Sequence, residues 1–287
     1  LPIRQQILND IVSRIVTDED DRGARDNGAI ARIAQKDLSD DVLRLITEHS
    51  ANDDAIFFLG RLVWQGDMEN CIEPLISIAI DPSRDIYPRI ASIRAVATVG
   101  SREQLTSLWQ SVNAKPEVIP RRLLVELAEE AVIDDATVNL LLGSLDKLPP
   151  YEQYETSGLD RAIHTFIDKF SGLSSQESEP LLAKLCVGLN ELLSRAPHHE
   201  RRECRVSTEF SWLMGPAIQV VERLISDRAD VCFDRDVIEI LLKIPAMRHW
   251  AGEQINEYKD KLHELIPEWK EFNDAYFWRS IEEARAR

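Results

Sequence analysis

Short helical segments separated by turn-forming residues recur along this chain and constrain its fold more than any other feature. Apolar residues keep the helical spacing over segments of about 10 to 20 residues, and Pro, Asp, Ser and Gly divide one segment from the next. No stretch shows the period-two alternation of a half-buried strand, and no Asn-Gly or Asp-Gly turn joins β-branched runs. So many short helices are typical of stacked helical hairpins and not of a four-helix bundle.

The sequence therefore predicts an all-α protein. The predicted helices cover residues 3–16, 28–35, 39–49, 52–65, 68–80, 86–99, 101–112, 117–132, 135–146, 156–170, 176–196, 204–227, 234–248, 252–265 and 267–286. The clearest hairpins lie between 52 and 146, where equivalent helices recur about every 30 to 45 residues. This spacing predicts an α-solenoid over 1–148, and the longer loops and helices of 149–287 predict a helical continuation that is more bundle-like.

The segment DPSRDIYPRIASIRAVATVG, residues 81–100, resembles the second helix of a HEAT-type (armadillo-like) repeat. It has an Asp-rich turn, an early Arg, and then small and branched apolar residues that end at Gly100. The resemblance covers residues 50–112 and extends to 146, and it implies a HEAT-like helical array. The aromatic ending FNDAYFWRSIEEAR and the repeat style resemble the helical regions of large bacterial NACHT/STAND-type NTPases, which act in signalling and antiviral defence. The phosphate-binding loop of that family is absent from this sequence.

The composition predicts an acidic surface, since the 287 residues contain 34 Lys and Arg against 50 Asp and Glu, a formal net charge of −16. An acidic surface repels phosphate backbones, so general nucleic-acid binding is not expected. No apolar run is long enough to span a membrane, and the four cysteines are dispersed without a CxxC pair, which predicts a reduced, cytoplasmic protein. Because the chain begins at Leu1 without Met and ends in an uncapped helical run, we interpret it as a piece of a longer protein.

Two arginines interrupt the apolar helix predicted over residues 86–99. At about 100° per residue, Arg89 lies within the apolar arc, whereas Arg94 lies on a polar strip and is expected to be free to contact a partner. A buried Arg89 needs acceptors, and Asp81, Asp85 or the carbonyls that end the previous helix are close enough in sequence. We therefore assign these two aspartates and Arg89 a structural role and Arg94 a partner-binding role.

A basic cluster interrupts the acidic sequence in SRAPHHERRECR, residues 194–205. Its candidate partner-binding residues are Arg195, His198, His199, Arg201, Arg202 and Arg205. Three interpretations stay open: a solvated loop between helices, a contact with an anion or acidic partner, and a metal site that combines His198, His199 and Cys204. The metal site is the least favoured, because adjacent histidines rarely converge on one ion.

The C-terminal aromatic residues are a further candidate surface. Trp269, Phe272 and Tyr276 share a helical stripe, and Phe277 and Trp278 lie beside them. Such a stripe is typical of a face that packs in the core. The alternative is a docking surface for another part of the parent chain, since aromatic residues are enriched at interfaces.

Catalytic motifs for phosphate-binding loops, dinucleotide folds, zinc proteases and serine hydrolases are absent, and no cofactor is expected. The acidic segment at 17–28 lacks the spacing of an EF-hand and is expected to be a solvated loop. The favoured function is a non-catalytic scaffold or sensor that contacts a protein partner or other domains of its parent chain. Two alternatives stay open: a HEAT-like nucleic-acid-handling enzyme such as a DNA glycosylase, and a helical module that oligomerises a larger defence machine.

Overall fold

A computed structural model describes residues 2–19, 27–150, 156–199, 205–247 and 256–286 of the chain. Within these ranges the chain forms fifteen α-helices and no β-strand, apart from one isolated antiparallel bridge between His198 and Ser207. The all-α prediction is confirmed.

The helices follow one another with short connections. The first eight are α1 (Pro2–Val16), α2 (Asn27–Ile33), α3 (Ser39–Glu48), α4 (Asp53–Gly66), α5 (Ile72–Ala79), α6 (Ile86–Val99), α7 (Arg102–Ala114) and α8 (Arg121–Glu130). The remaining seven are α9 (Asp135–Leu145), α10 (Leu159–Asp168), α11 (Ser175–Leu193), α12 (Met214–Ser226), α13 (Arg235–Met247), α14 (Asn256–Glu268) and α15 (Lys270–Ala286). Each corresponds to one predicted segment, with differences of a few residues at most ends.

Local side-chain contacts explain where several helices begin and end. Asn52 Oδ1 accepts a hydrogen bond from the Ala55 amide at 2.8 Å at the start of α4, and Ser101 and Gln104 form a capping box before α7. These contacts satisfy amides that have no partner within the helix. At the end of α4 the left-handed residue is Asp67, with φ of 53°, and not the preceding glycine.

The chain folds into two compact units. The first unit comprises residues 1–132 with 147–149, and the second comprises 133–146 with 150–287. The predicted division at 148/149 assigns residues 133–146 to the first part. The sequence also predicts that α8 and α9 form a hairpin, because they are neighbours in the chain. In the structure, α9 packs against α11 of the second unit.

In the first unit, α4 packs against α6 and α6 packs against α8, while α3 pairs with α4 and α5 with α6. The α4–α6 contact is close at Gly60, where an added Cβ would stand 3.2 Å from the Cβ of Ala91. Phe58, Leu59 and Trp109 are essentially excluded from solvent in the core of this unit.

Side-chain hydrogen bonds between neighbouring helix pairs of the first unit have a nearly constant offset in sequence. From Arg4–Asp37 to Lys147–Asn113 they join residues 28 to 36 positions apart. The corresponding bonds described in the second unit join residues 39 to 55 positions apart. The two units therefore differ in the length of chain between contacting elements.

In the second unit, α11 packs against α9, α12 and α13, and α12 also packs against α10, α13 and α14. A polar network crosses the α11–α13 contact. Lys243 donates to Asn190 Oδ1 at 2.6 Å, and Asn190 Nδ2 donates to Asp236 at 2.8 Å and to Glu239 at 2.9 Å. Burial lowers the pKa of Lys243. This network gives a buried ammonium the acceptors that it requires.

The helix predicted over 204–227 is shorter in the structure. α12 begins at Met214, and the preceding residues form a hydrogen-bonded loop. The Ser207 amide donates to the carbonyl of Leu193 at 2.7 Å, and the Thr208 amide donates to the carbonyl of Pro197 at 2.9 Å. These non-local hydrogen bonds occupy amides that a longer helix would need.

Candidate binding surface

One side of three neighbouring helices in the first unit carries a group of aromatic and charged residues, some buried and some exposed, which we call the α4–α6–α8 face. Its members are Phe57, Arg61 and Trp64 on α4, Tyr87 and Arg94 on α6, and Arg122 and Glu126 on α8. Within each helix the spacing is i, i+4 or i+7, which places the side chains on one helical side. Contacts between them then join one helix to the next.

The first row of this face crosses the three helices near their amino-terminal ends. The rings of Phe57 and Tyr87 lie 5.8 Å apart at 58°, and the guanidinium of Arg61 lies 5.1 Å from the centre of the Phe57 ring. Arg122 Nη1 donates to the hydroxyl of Tyr87 at 3.4 Å. Tyr87 is 53% exposed and Arg122 is also exposed, so this row presents an accessible aromatic ring beside an accessible guanidinium.

The second row lies about two helical turns further along α4 and α6. Arg94 donates to both carboxylate oxygens of Glu126, from Nε at 2.6 Å and from Nη2 at 2.5 Å. The same guanidinium lies 5.6 Å from the centre of the Trp64 ring. Arg94 reaches the surface, as the sequence predicts. The sequence also predicts a free guanidinium, but in the structure this group is paired with Glu126 on the next helix. Partner binding by Arg94 stays a prediction.

Arg89 lies inside the first unit, with 6% of its surface exposed. Its Nε donates to the carbonyl of Ala79, the last residue of α5, at 3.0 Å, and the charge of Asp81 acts on it favourably. Burial lowers the pKa of Arg89 despite that carboxylate. Asp81 Oδ1 accepts from the hydroxyl of Ser83 at 2.7 Å, which lowers the pKa of Asp81. Asp85 precedes α6 as its exposed N-cap residue.

The basic cluster is only partly described, since Arg201, Arg202 and Cys204 lie outside the described residues. Arg195 forms an ion pair with Asp146 and lies 5.6 Å from the centre of the Phe210 ring. His198 Nε2 lies 2.9 Å from the carbonyl of Ser194.

The amide of His199 donates to the carbonyl of Val206 at 3.1 Å, and Arg205 is exposed. Arg195, His198 and His199 therefore make contacts within the loop and with the end of α9. The hydrogen bonds and ion pairs described for these residues each go to a different partner.

The C-terminal aromatic residues separate into two groups. Phe272 is fully buried, and its ring lies 5.7 Å from that of Phe233, 5.2 Å from that of Trp269 and 6.5 Å from that of Tyr276. This stripe packs within the second unit. Trp278 is 61% exposed, and its ring lies 5.5 Å from that of Phe277, which is 54% exposed.

A polar cleft of about 620 Å³ lies beside α10, α12 and α14 in the second unit. Gln219 links two of its residues, since its carbonyl oxygen lies 2.5 Å from His164 Nδ1 and its amide donates to Asp168 at 2.7 Å. Glu222 pairs with Lys261 on another side of the cleft. These five side chains thus satisfy one another, whereas the Nε of Arg223, which also lines the cleft, is buried without a hydrogen-bond partner among the described residues.

No grouping of three His, Cys, Asp or Glu side chains able to hold a metal ion occurs in the described part of the chain. Among the same residues, no helix is both long and apolar enough to cross a membrane. The acidic segment at 17–28 is mostly outside the described residues.

Phe57, Trp64, Tyr87 and Arg122 are members of a common surface that the sequence-based prediction does not include. A signal is present in the sequence, because Tyr87 follows Phe57 by 30 residues and precedes Arg122 by 35, within the predicted spacing of about 30 to 45 residues between equivalent helices. Of this face, the prediction includes only Arg94.

The fold and this surface define an all-helical protein of paired helices with an aromatic and arginine-rich face in its first unit. Comparisons of the chain with protein families, with curated proteins and with solved structures found no match.

Proposed function

We propose that this chain is a non-catalytic, HEAT-like helical-repeat scaffold whose α4–α6–α8 face binds a protein partner. The observation that carries the proposal is the narrow range of sequence offsets, 28 to 36 residues, for side-chain hydrogen bonds between neighbouring helix pairs of the first unit. In a solenoid each repeat contacts its neighbours in the same way, so contacts recur at the repeat length.

The layered contacts of the first unit support the same architecture. α4, α6 and α8 pack side by side, and α3 and α5 pair with the first two of them. In such an array the second helices of successive hairpins form one continuous surface, which suits the recognition of extended partners.

The chemistry of the face supports protein binding. Aromatic residues and arginine are the residue types most enriched where protein partners contribute binding energy. Tyr87 combines an exposed ring with a hydroxyl that contacts Arg122, and Trp64 contacts Arg94 through its ring. The face therefore offers apolar area and charge together.

The proposal extends to the setting that the sequence resemblance implies. If the chain belongs to a signalling or defence NTPase, the partner is another domain of the same parent chain or a protein that this NTPase recognises. Measuring whether the isolated chain is a monomer or an oligomer distinguishes this setting from an oligomerising module, which would self-associate.

A peptide display selection tests the proposed surface. Random peptides selected on the wild-type chain are measured for affinity against Tyr87→Ala and Trp278→Ala, which remove exposed aromatic rings from the first and the second unit. We expect Tyr87→Ala to weaken the selected peptides by about tenfold, because aromatic anchors dominate such interfaces, and Trp278→Ala to leave them unchanged. The reverse pattern would move the site to the C-terminal aromatic residues, and no dependence on Tyr87 would contradict the proposal.

A further inference from the structure

Arg122 is an exposed cation of the α4–α6–α8 face that has no ion-pair partner among the described residues. Its described hydrogen bond goes to the Tyr87 hydroxyl at 3.4 Å, which is long for such a bond. By contrast, Arg94 is held by Glu126, and Arg84 lies 3.1 Å from Asp53. A carboxylate from a partner can therefore pair with Arg122 without breaking an existing ion pair, and a guanidinium binds a carboxylate through two parallel hydrogen bonds.

The ring beside Arg122 suits proline or aromatic side chains. Tyr87 is 53% exposed, and Phe57 on the adjacent helix extends the aromatic surface at a distance of 5.8 Å between ring centres. Proline-rich segments in the polyproline II conformation bind to surfaces lined with such rings, since the segment is already extended and loses little entropy on binding.

The extent of this aromatic and cationic group suits the repeat of that conformation. A polyproline II segment turns once every three residues and rises about 3.1 Å per residue, so side chains at i and i+3 point to the same side about 9 Å apart. The rings of Phe57 and Tyr87 lie 5.8 Å apart, and Arg122 Nη1 lies 3.4 Å from the Tyr87 hydroxyl, so the aromatic pair and the guanidinium together extend over about one such step.

We infer that the α4–α6–α8 face binds an acidic polyproline II segment, in which an apolar or aromatic side chain contacts Phe57 and Tyr87 and a carboxylate three residues away pairs with Arg122. The inference rests on the proposed function and specifies the chemistry of the partner. It accounts for the position of an exposed arginine next to an exposed ring in a chain whose net charge is −16.

Synthetic proline-rich peptides provide the probe. One labelled peptide carries a tyrosine and a glutamate separated by two prolines, a second carries lysine in place of the glutamate, and both are made in either sequence order. Their affinities are measured by fluorescence anisotropy against the wild-type chain, Arg122→Glu and Arg102→Glu. Arg102 is an exposed arginine in the first turn of α7, as Arg122 is in α8, so both variants place a glutamate in the first turn of a helix.

We expect the glutamate peptide to bind the wild-type chain about tenfold more tightly than the lysine peptide, and Arg122→Glu to reverse that order. Arg102→Glu should leave the preference for the glutamate peptide unchanged. Equal affinity of the two peptides for the wild-type chain, failure of Arg122→Glu to reverse the preference, or absence of binding by both peptides would each overturn the inference. Thermal unfolding of both variants confirms that they fold.

The failure of this inference can be distinguished from the failure of the proposed function. If display-selected peptides depend on Tyr87 but neither carry a carboxylate nor respond to Arg122→Glu, the face binds a partner of another chemistry. If they do not depend on Tyr87, the face itself is not the site.

Discussion

Arg94 on α6 and Glu126 on α8 form a bidentate ion pair between neighbouring helices, with donor–acceptor distances of 2.6 and 2.5 Å. The two partners are unequally buried: the side chain of Arg94 is 47% exposed, whereas that of Glu126 is 10% exposed. The arginine therefore satisfies a carboxylate that has little access to water.

This inequality predicts the cost of removing each partner. Arg94→Ala should destabilise the fold by about 1 to 3 kcal/mol, because it leaves the Glu126 carboxylate buried without its two donors. The sequence alone predicts a small cost, since Arg94 lies on a polar strip. Urea denaturation of the single and double variants checks this. The double variant Arg94→Ala/Glu126→Ala should cost less than the sum of the single changes, and simple additivity would contradict the coupling.

The buried Arg89 predicts a second loss of stability. Arg89→Ala should cost about 1 to 3 kcal/mol, because the Ala79 carbonyl loses its donor and the side chain leaves a cavity. Arg102→Ala, at an exposed position, should change stability by less than about 0.5 kcal/mol. The free energies of unfolding of both variants are compared by urea denaturation, and similar values would argue against a structural role for Arg89.

The contact between α4 and α6 predicts a steric limit at Gly60. Gly60→Val should destabilise the fold by about 2 kcal/mol or more, since even a Cβ would stand 3.2 Å from the Cβ of Ala91. Gly172→Val is the matched control, because nothing lies within 4 Å of a Cβ at that exposed position. Thermal melting that falls equally for both variants would show that the close approach is not responsible.

Three buried cysteines should resist alkylation in the native protein. Burial raises the pKa of Cys71 to about 11 and that of Cys232 to about 12, and it raises the pKa of Cys186 as well. At about pH 8 the thiolate of Cys71 would amount to about one part in a thousand, and the thiolate is the reactive form. Iodoacetamide treatment followed by peptide mass spectrometry should label these residues only in urea. Rapid labelling of native Cys71 would contradict its burial.

The acidic surface predicts weak nucleic-acid binding. Gel-shift experiments with duplex and single-stranded DNA at about 150 mM salt should show no stable complex, because non-specific affinity depends on basic residues that neutralise phosphates. Tight binding under these conditions would favour the nucleic-acid-handling alternative. Loss of that binding on Arg195→Ala would then place the site at the basic cluster.

The sequence is sufficient to predict the helices but not all of their partners. Periodicity and caps such as Asn52 and Ser101 are local signals, and they fix where helices form. The packing of α9 is not local: Asp135 pairs with Lys184, and Asp146 pairs with Arg195, both on or beside α11. Adjacency in the chain suggests α8 as the partner of α9, and no residue near α9 signals the alternative.

The candidate surface shows the same limit. Helical spacing within α6 places Arg94 at the surface, because the position of a side chain around a helix follows from that spacing alone. The spacing does not predict the ion pair with Glu126, because Glu126 follows Arg94 by 32 residues and lies on another helix. The 35-residue offset between Tyr87 and Arg122 marks them as equivalent positions, but the contact between their side chains depends on how α6 and α8 pack.

The short and similar sequence offsets of the contacts in the first unit also bear on how this part of the chain acquires its structure during synthesis. The two residues of each side-chain hydrogen bond between neighbouring helix pairs are only 28 to 36 positions apart. A helix pair can therefore dock on the preceding pair soon after it leaves the ribosome. The second unit, with bonds that mostly join residues 46 to 55 positions apart, must wait for more of the chain. Growth by successive addition would leave little apolar surface of the first unit exposed at any moment of translation.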